Sequence, residues 1–509
     1  MKKKLYTLIA LAFTVLPFSS CLDIDPESEL TDQTMWQSEG QFDAFTVGVH
    51  SDLRNKAWNC LLLGEVRSDI YSTAESAKFG GVASKVFRFA TNTLDETNYG
   101  IGNYADFYYN INQINLFIMK AQESGVLPEA KRNYYLGQMY GLRAFYYFHL
   151  LRSWNNVVWN DQPSLSFEIG KLDRPVTPAA EIMANIKKDI ETSLECFGKD
   201  YSFKRNKNYW SKAATLMLKA EAYLWSSRQM NGGKGDAESA LSALKDIQTN
   251  VSSLKLMDNY KDIFAYSHKM NSEIIFALHY EEENGENEML SGEYRMNYCL
   301  MKGDLGKWYD IDGNKIDTKV DNFDGVGYYL LNNNLLDSFN KNDSRRLTTI
   351  KPLYDKNKNF IANIAYKYQG RNRSGEDVRT MCDDYPIYRY ADLLLMIAEA
   401  KSLTGGDPTA EINQIRKRAF GENYNEEVAY PNQEIDKDVN EAILKERFLE
   451  FMLEGKRWYD LRRFGNEYVF KYTTANPNYP GRLIWPIDVQ TMVKNPAIHQ
   501  TEGYDTLMK

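Results

Sequence analysis

Histidine and cysteine are both scarce in this chain of 509 residues, with five copies of each. His50, His149, His268, His279 and His499 include no two at the i, i+4 spacing that places a zinc pair on one helix face. Cys60, Cys196, Cys299 and Cys382 lie far apart and form no C-x-x-C, so zinc and thiol-disulfide motifs are excluded. Their wide separation favours isolated buried thiols over two disulfide bridges. The chain also lacks a G-x-S-x-G nucleophile elbow, and the cluster Gly232-Gly233-Lys234-Gly235 lacks the leading glycine and the Ser/Thr of a phosphate loop. That cluster reads as a turn between helices. Among 69 acidic residues nothing singles out a glycosidase pair, which needs two carboxyls roughly 5 to 10 Å apart. Asp310-x-Asp312-Gly313-Asn314, with Asp317 and Asp321 beyond it, lacks the spacing and terminal glutamate of an EF loop. Asp310 and Asp312 are retained as candidates for a structural calcium, the sole cofactor considered.

Long apolar runs are missing too. The longest, Leu5 to Phe18, has 14 residues, short of the roughly 20 a helix needs to cross a bilayer. It follows Lys2-Lys3-Lys4 and precedes Ser19-Ser20-Cys21, the arrangement of a cleavable bacterial lipoprotein signal over residues 1–20 with Cys21 as the lipidated residue. Removing the signal takes away three lysines and no acid, so the formal charge of −8 becomes −11 over 489 residues. So acidic a protein is a poor partner for nucleic acid or anionic headgroups, and any membrane attachment comes from the lipid. No Pro/Gly/Ser-rich linker divides residues 21–509, which are read as one domain.

What the chain has in abundance is aromatic side chains and helical periodicity. There are 35 Tyr, 24 Phe and 9 Trp, side chains whose apolar faces and polar handles suit sugar-binding surfaces and helical cores alike. Apolar residues recur at helical spacing from Asn103 to Ile118, from Pro128 to Trp154, in Thr177–Phe197 with Thr177 as cap, in Tyr209–Ser226 and in Asp236–Thr249. The helices follow one another at short intervals, which predicts a mainly α scaffold of stacked helical pairs over about residues 21–280. Ile274 to Leu278 reads as a strand, and residues 281–380, rich in Asn, Asp and Gly, read as long loops with a few strands. Helical pattern returns in Ile387–Leu403, Thr409–Ala419 and Val439–Phe464. Along the last of these, Arg447, Glu450, Glu454, Arg457, Asp460 and Arg463 recur every three or four residues, so they are expected to form an ion-pair lattice on one helix face rather than a catalytic site.

The region 381–509 resembles the SusD/RagB family of nutrient-binding outer-membrane lipoproteins of Bacteroidetes. The resemblance rests on Tyr388-Arg389-Tyr390-Ala391-Asp392-Leu393-Leu394-Leu395-Met396-Ile397-Ala398-Glu399-Ala400, on Ile412 to Ala419, on Glu446-Arg447-Phe448-Leu449-Glu450-Phe451 with Glu454 to Arg463, and on the tail Trp485-Pro486-Ile487-Asp488, Asn495-Pro496 and Gly503-Tyr504. Asp488 stands where the family usually has proline. Leu142 to Phe148, Leu335 to Phe339 and Asp343-Ser344-Arg345 extend a looser likeness upstream. The resemblance implies a tetratricopeptide-like scaffold with a second, loop-rich ligand face, an oligosaccharide ligand, no enzymatic activity, and a SusC-like TonB-dependent transporter as partner at the cell surface. An oligopeptide ligand or, further off, a surface glycoside hydrolase are the competing readings. Sugar binding asks for aromatics beside hydrogen-bonding side chains, and two stretches offer them: Arg67, Asp69 and Tyr71 with Asn92, Tyr99 and Tyr104, and Tyr298 with Trp308 and Tyr309.

Overall fold

The computed structural model describes residues 34–73, 88–95, 97, 99, 104–165, 173–281, 308–316, 331–371 and 380–504. Cys21, Tyr298, Cys299, Asp317 and Asp321 lie outside these residues. Helices α1 (Glu39–Arg54), α2 (Ala57–Glu65), α3 (Tyr108–Glu123), α4 (Glu129–Trp154), α5 (Ala179–Phe197), α6 (Lys212–Gln229) and α7 (Gly233–Asn250) build the first part. As expected, the architecture is mainly α, with helical pairs: α4 packs on α5, and α6 on α7. The second part comprises β1 (Ile274–Leu278), α8 (Arg345–Thr349), β2 (Ile350–Tyr354), β3 (Phe360–Ala365), β4 (Tyr385–Arg389), α9 (Tyr390–Thr404), α10 (Thr409–Phe420), α11 (Val439–Phe451), α12 (Arg457–Phe464), α13 (Asn466–Tyr472) and α14 (Val489–Lys494). No helix among the described residues is long and apolar enough to cross a membrane.

Two glycines explain how closely the scaffold helices meet. A Cβ on Gly141 of α4 would lie 2.0 Å from Trp210 Nε1, and one on Gly137 would lie 3.0 Å from the Phe197 ring. The missing side chains are therefore the sockets into which α5 and the segment before α6 insert an aromatic ring. Trp210 is buried there and its indole donates to Thr215 Oγ1 at 2.8 Å.

Several element boundaries depart from the periodicity, each for a local reason. Helix α3 is preceded by a 3-10 turn, Tyr104–Phe107, in place of an α-helical start at Asn103. Pro178, not Thr177, caps α5, because Thr177 is taken by a β-bridge to Val157. Helix α6 starts at Lys212 rather than Tyr209: Ser211 accepts the Ala214 N–H, and the Trp210 N–H is claimed by His50 Nε2 at 3.0 Å. Gly233 and Gly235 belong to the first turn of α7, so the glycine cluster is turn only up to Gly232. Tyr385–Arg389 pair antiparallel with β1, with Ile274 opposite Arg389, so the helix expected from Ile387 begins at Tyr390. Within 281–380 the described residues hold a two-stranded ribbon, with Ile350 of β2 opposite Ala365 of β3.

The largest departure is in the charged motif. The expected continuous helix Val439–Phe464 is two helices, broken between Phe451 and Arg457, with Leu453 at φ +68 and Gly455 at φ +71. Glu65 at the end of α2 holds the break open: its carboxylate accepts the Leu453 N–H at 3.1 Å and the Gly455 N–H at 3.0 Å. Asp488, the departure from the family's proline, caps α14 by accepting from the Thr491 N–H at 2.9 Å and its hydroxyl at 2.7 Å. A proline-shaped position has become a helix start.

Candidate functional site

The break places the alternating charges on different walls of the core, so they are not a one-face lattice. Only Asp460 and Arg463 pair within their own helix, at 3.0 Å. The rest reach across the fold: Arg447 to Asp392 at 2.8 Å, Glu450 to Arg389 at 2.6 Å and Arg345 at 3.1 Å, Glu454 to Arg389 at 2.8 Å and Lys367 at 2.7 Å, and Arg463 to Glu399 at 3.0 Å. Every one of these residues is buried. Burial alone would disfavour the Asp392 charge, yet Lys456 and Arg447 hold its carboxyl well below the usual carboxylate range. Glu450 is held down in the same sense by Arg418, Arg389 and Arg345. Carboxylates kept ionised by guanidinia are structural cross-links, and none is poised as a proton donor.

Glu65 behaves in the opposite way. Burial pushes its carboxyl up to about 7, and the Gly455 N–H, Lys367 and the Tyr71 hydroxyl only partly oppose this. Because the folded-state value is raised, the contribution to stability is complete below the unfolded-state value, about 4.3, and is lost as pH rises through 7. Between pH 5 and 8 the wild type is therefore expected to lose about 2–3 kcal/mol that Glu65→Gln does not lose. Denaturant melts of both proteins across that range check this; parallel pH profiles would remove Glu65 as the source.

Arg457, the motif arginine paired with Asp69, opens onto a cleft of about 550 Å³. Four residues of α11, Glu441, Leu444, Lys445 and Phe448, form one wall, spaced i, i+3, i+4 and i+7 so that they share a face. Arg457 at the start of α12, Lys471 and Tyr472 at the end of α13, Lys437 before α11, and Asn332, Asn334, Asp337 and Ser338 from the turn before α8 close the others. Asp69 lies in the cleft, gripped by Arg457 through Nε to Oδ1 at 2.9 Å and Nη2 to Oδ2 at 2.8 Å. The Arg457 guanidinium stands over the rings of Phe448, at 4.5 Å, and Tyr472, at 5.0 Å, so aromatic planes fix its orientation. Glu441 takes both the Lys471 ammonium and the Tyr472 hydroxyl. Burial opposes its charge, and these two partners hold its carboxyl below the ordinary value. The cleft thus has apolar lining from Leu444 and Phe448, with carboxylate and amide oxygens placed around it.

Among the described residues expected to touch ligand, only Asp69 lies in this cleft. Arg67 is 1% exposed: it donates to Asn92 Oδ1 at 2.9 Å and to the carbonyls of Arg482, Leu483 and Ile484, beneath the rings of Trp458 and Trp485. Asn92, at φ +55, donates in turn to the Arg67 carbonyl and to Thr474 Oγ1. Arg67 therefore clamps the C-terminal tail, and its expected ligand contact is corrected. Tyr71 is buried on Glu65 Oε1 at 3.1 Å, and Tyr104 is buried against Trp154 with its hydroxyl accepting the Val158 N–H at 3.0 Å. Both belong to the core. Tyr99 is half-buried, apart from the cleft-lining set.

Trp308 packs on Ile316, Leu353 and Ile364, and Tyr309 pairs through its backbone with Tyr354, so this stretch forms an extra edge on the β2–β3 ribbon. Asp310 closes the turn by accepting from the backbone N–H groups of Asp312, at 3.0 Å, and Asn314, at 2.8 Å. Among the described residues no group of three or more His, Cys, Asp or Glu is arranged to hold a metal ion. The calcium reading of Asp310 and Asp312 has a simpler counterpart in the side chain's own turn.

Asn332 ties the cleft to the expected ligand face. Its N–H donates to the Ile70 carbonyl at 2.9 Å and Tyr71 bridges Leu331, so the segments that carry Asp69 and Asn332 lie antiparallel beside each other. The α11 and α13 residues of the cleft were not foreseen. The i, i+3, i+4, i+7 set on α11 is the signal that could have shown them, since it mixes Glu, Lys and Phe on a face that would otherwise be uniformly apolar.

Comparison with known proteins matches this geometry to a family. The SusD family model matches residues 367–504, a span that begins at the buried Lys367 and ends at the buried Tyr504. NanU of B. fragilis superposes with a TM-score of 0.86 at 41% identity, covering 94% of this chain and 100% of that one. The chain belongs to the SusD family. A SusD superfamily protein of Bacteroides vulgatus agrees with it at 42% identity and a TM-score of 0.85, over 92% of this chain and 100% of the other. A SusD-like protein of Formosa agariphila is 27% identical over 95% of both chains. The span matched by the SusD family model contains Arg389, Glu399, Arg447, Glu450, Glu454 and Arg463 of the buried ion-pair network.

Proposed function

We propose that this SusD family chain is a non-catalytic glycan-binding protein, lipidated at Cys21 and displayed on the outer membrane, that captures oligosaccharide and passes it to a SusC-like TonB-dependent transporter. The observation that carries the binding reading is Asp69, fixed by Arg457 between Phe448 and Tyr472 on the wall of the cleft, with Asn332 and Asn334 beside it. A fixed carboxylate and two amides can take the hydroxyls of a sugar while the aromatic and aliphatic floor receives its apolar face. A glycosidase reading is disfavoured because Asp69 and Glu441 are each paired with a cation, Arg457 and Lys471, which leaves Asp337 as the remaining carboxyl of the cleft where hydrolysis needs two.

Relatives support the ligand class. The starch-binding protein SusD of Bacteroides thetaiotaomicron is 32% identical over 131 residues, 24% of this chain. A laminarin-binding SusD-like protein and surface glycan-binding protein A of B. thetaiotaomicron, the latter in complex with laminarihexaose, share the fold at TM-scores of 0.70 and 0.67. Calorimetric titration tests the cleft. Asn334→Ala and Tyr472→Ala are each expected to weaken oligosaccharide binding by about three- to tenfold, the loss of one hydrogen bond or one ring contact. Undiminished affinity in both variants would place the ligand elsewhere on the protein.

A further inference from the structure

A second, small cavity of about 30 Å³ lies deep in the fold, where α4, α6, β4 and the 454–456 loop meet. Its walls include Cys60, His149, Arg152, Glu221, Tyr385 and Gly455. Three of these side chains carry a fully buried polar atom with no hydrogen-bond partner: His149 Nδ1, Arg152 Nε and Tyr385 Oη. Orphaned buried donors cost about 1–3 kcal/mol each, so three around one cavity call for a common partner.

The chemistry of the wall says what that partner is. Arg152 Nη2 lies 3.4 Å from His149 Nε2, and since a guanidinium only donates, Nε2 is the accepting nitrogen. Burial, with Arg152 and Lys456 nearby, keeps the ring neutral, so its one proton sits on Nδ1. His149 Nδ1 and Arg152 Nε are thus both donors, while Tyr385 Oη can donate or accept. A cation is unwelcome beside two donors. An anion is unwelcome beside Glu221 and Glu454, which line the same walls. A small neutral molecule that accepts twice and donates twice satisfies the set. Cavities that stay dry are apolar, and a site with this volume and two to four polar partners has room for about one or two waters.

We propose that this cavity is a built internal water site, in which water accepts from His149 Nδ1 and Arg152 Nε and exchanges a hydrogen bond with Tyr385 Oη. The water joins α4 of the helical scaffold to β4 of the motif region. Gly455 leaves the room for it: a Cβ there would lie 2.8 Å from Tyr385 Oη and 3.1 Å from the Cys60 carbonyl oxygen.

A crystal structure of the wild-type protein at about 1.5 Å resolution tests the assignment. The expected result is one or two water peaks within hydrogen-bond distance, ~3.2 Å, of at least two of the three atoms, as well ordered as the side chains around them. A site without density, a peak that refines as chloride or a metal ion, or the three atoms found bonded directly to protein groups would each overturn it.

Discussion

Arg389→Ala is expected to destabilise the protein by about 3–5 kcal/mol, more than truncation of any surface cation. Arg389 is 0% exposed at the end of β4 and donates to Glu273 at 2.7 Å, to Glu450 at 2.6 Å and to both oxygens of Glu454, at 2.8 and 2.9 Å. It also donates to the Glu450 carbonyl at 2.8 Å, so one guanidinium binds three carboxylates and the last turn of α11. Removing it leaves buried negative charge that Lys367, Arg345 and Arg418 cannot fully balance, and an uncompensated buried charge costs far more than the pair gained on forming. Lys131, whose pair with Glu39 lies at the surface, is the control, because exposed pairs contribute little. Guanidinium unfolding midpoints of the two alanine variants decide the matter. An Arg389→Ala loss no larger than that of Lys131→Ala would show that the buried network does not frame the fold.

Gly64→Ala is expected to cost about 3 kcal/mol, against the direction helix propensity would give. Gly64 lies inside α2, where alanine is intrinsically better by about 1 kcal/mol. A Cβ there would stand 1.7 Å from the Gly455 carbonyl oxygen and 2.7 Å from its carbon, both backbone atoms that no rotamer change can move. The helix and the break between α11 and α12 meet glycine to glycine, and Glu65, the next residue, then reaches the N–H groups of that break. Gly48→Ala in α1, where a Cβ meets nothing within 4 Å, should instead stabilise by about 0.5–1 kcal/mol. Thermal melts that give both variants the same sign would contradict this contact.

The sequence pattern and the structure agree best where local and tertiary requirements coincide. The Pro128–Trp154 periodicity and helix α4 match almost residue for residue, because a long amphipathic run with Pro128 at its start leaves one solution. The charged motif departs from its local pattern for an equally physical reason. Arg447, Glu450, Glu454 and Arg457 have helical spacing, but the break at Met452–Lys456 is imposed by Glu65 and Gly64, which lie nearly 400 positions earlier and leave no trace in the local pattern. Arg67 follows the same rule: polar residues beside a tyrosine look like a binding surface until Leu483 and Ile484 arrive to cover them. In the cleft, Asp69 was legible as a chemical group, whereas Glu441, Phe448, Lys471 and Tyr472 join it only through tertiary folding. Of the SusD family motif residues, Phe448 and Arg457 reach the cleft, whereas Arg447, Glu450, Glu454 and Arg463 hold elements together inside the core.

Whether the cleft captures glycan is decided by a binding titration of the chain without its signal and lipidated cysteine. Purified residues 22–509, offered a panel of oligosaccharides and a matched panel of oligopeptides, should bind at least one oligosaccharide saturably, and Asn334→Ala with Tyr472→Ala should weaken that binding while the melting temperature stays within a few degrees. Saturable peptide binding with no response to any oligosaccharide, or release of reducing ends from the bound sugar, would contradict the account.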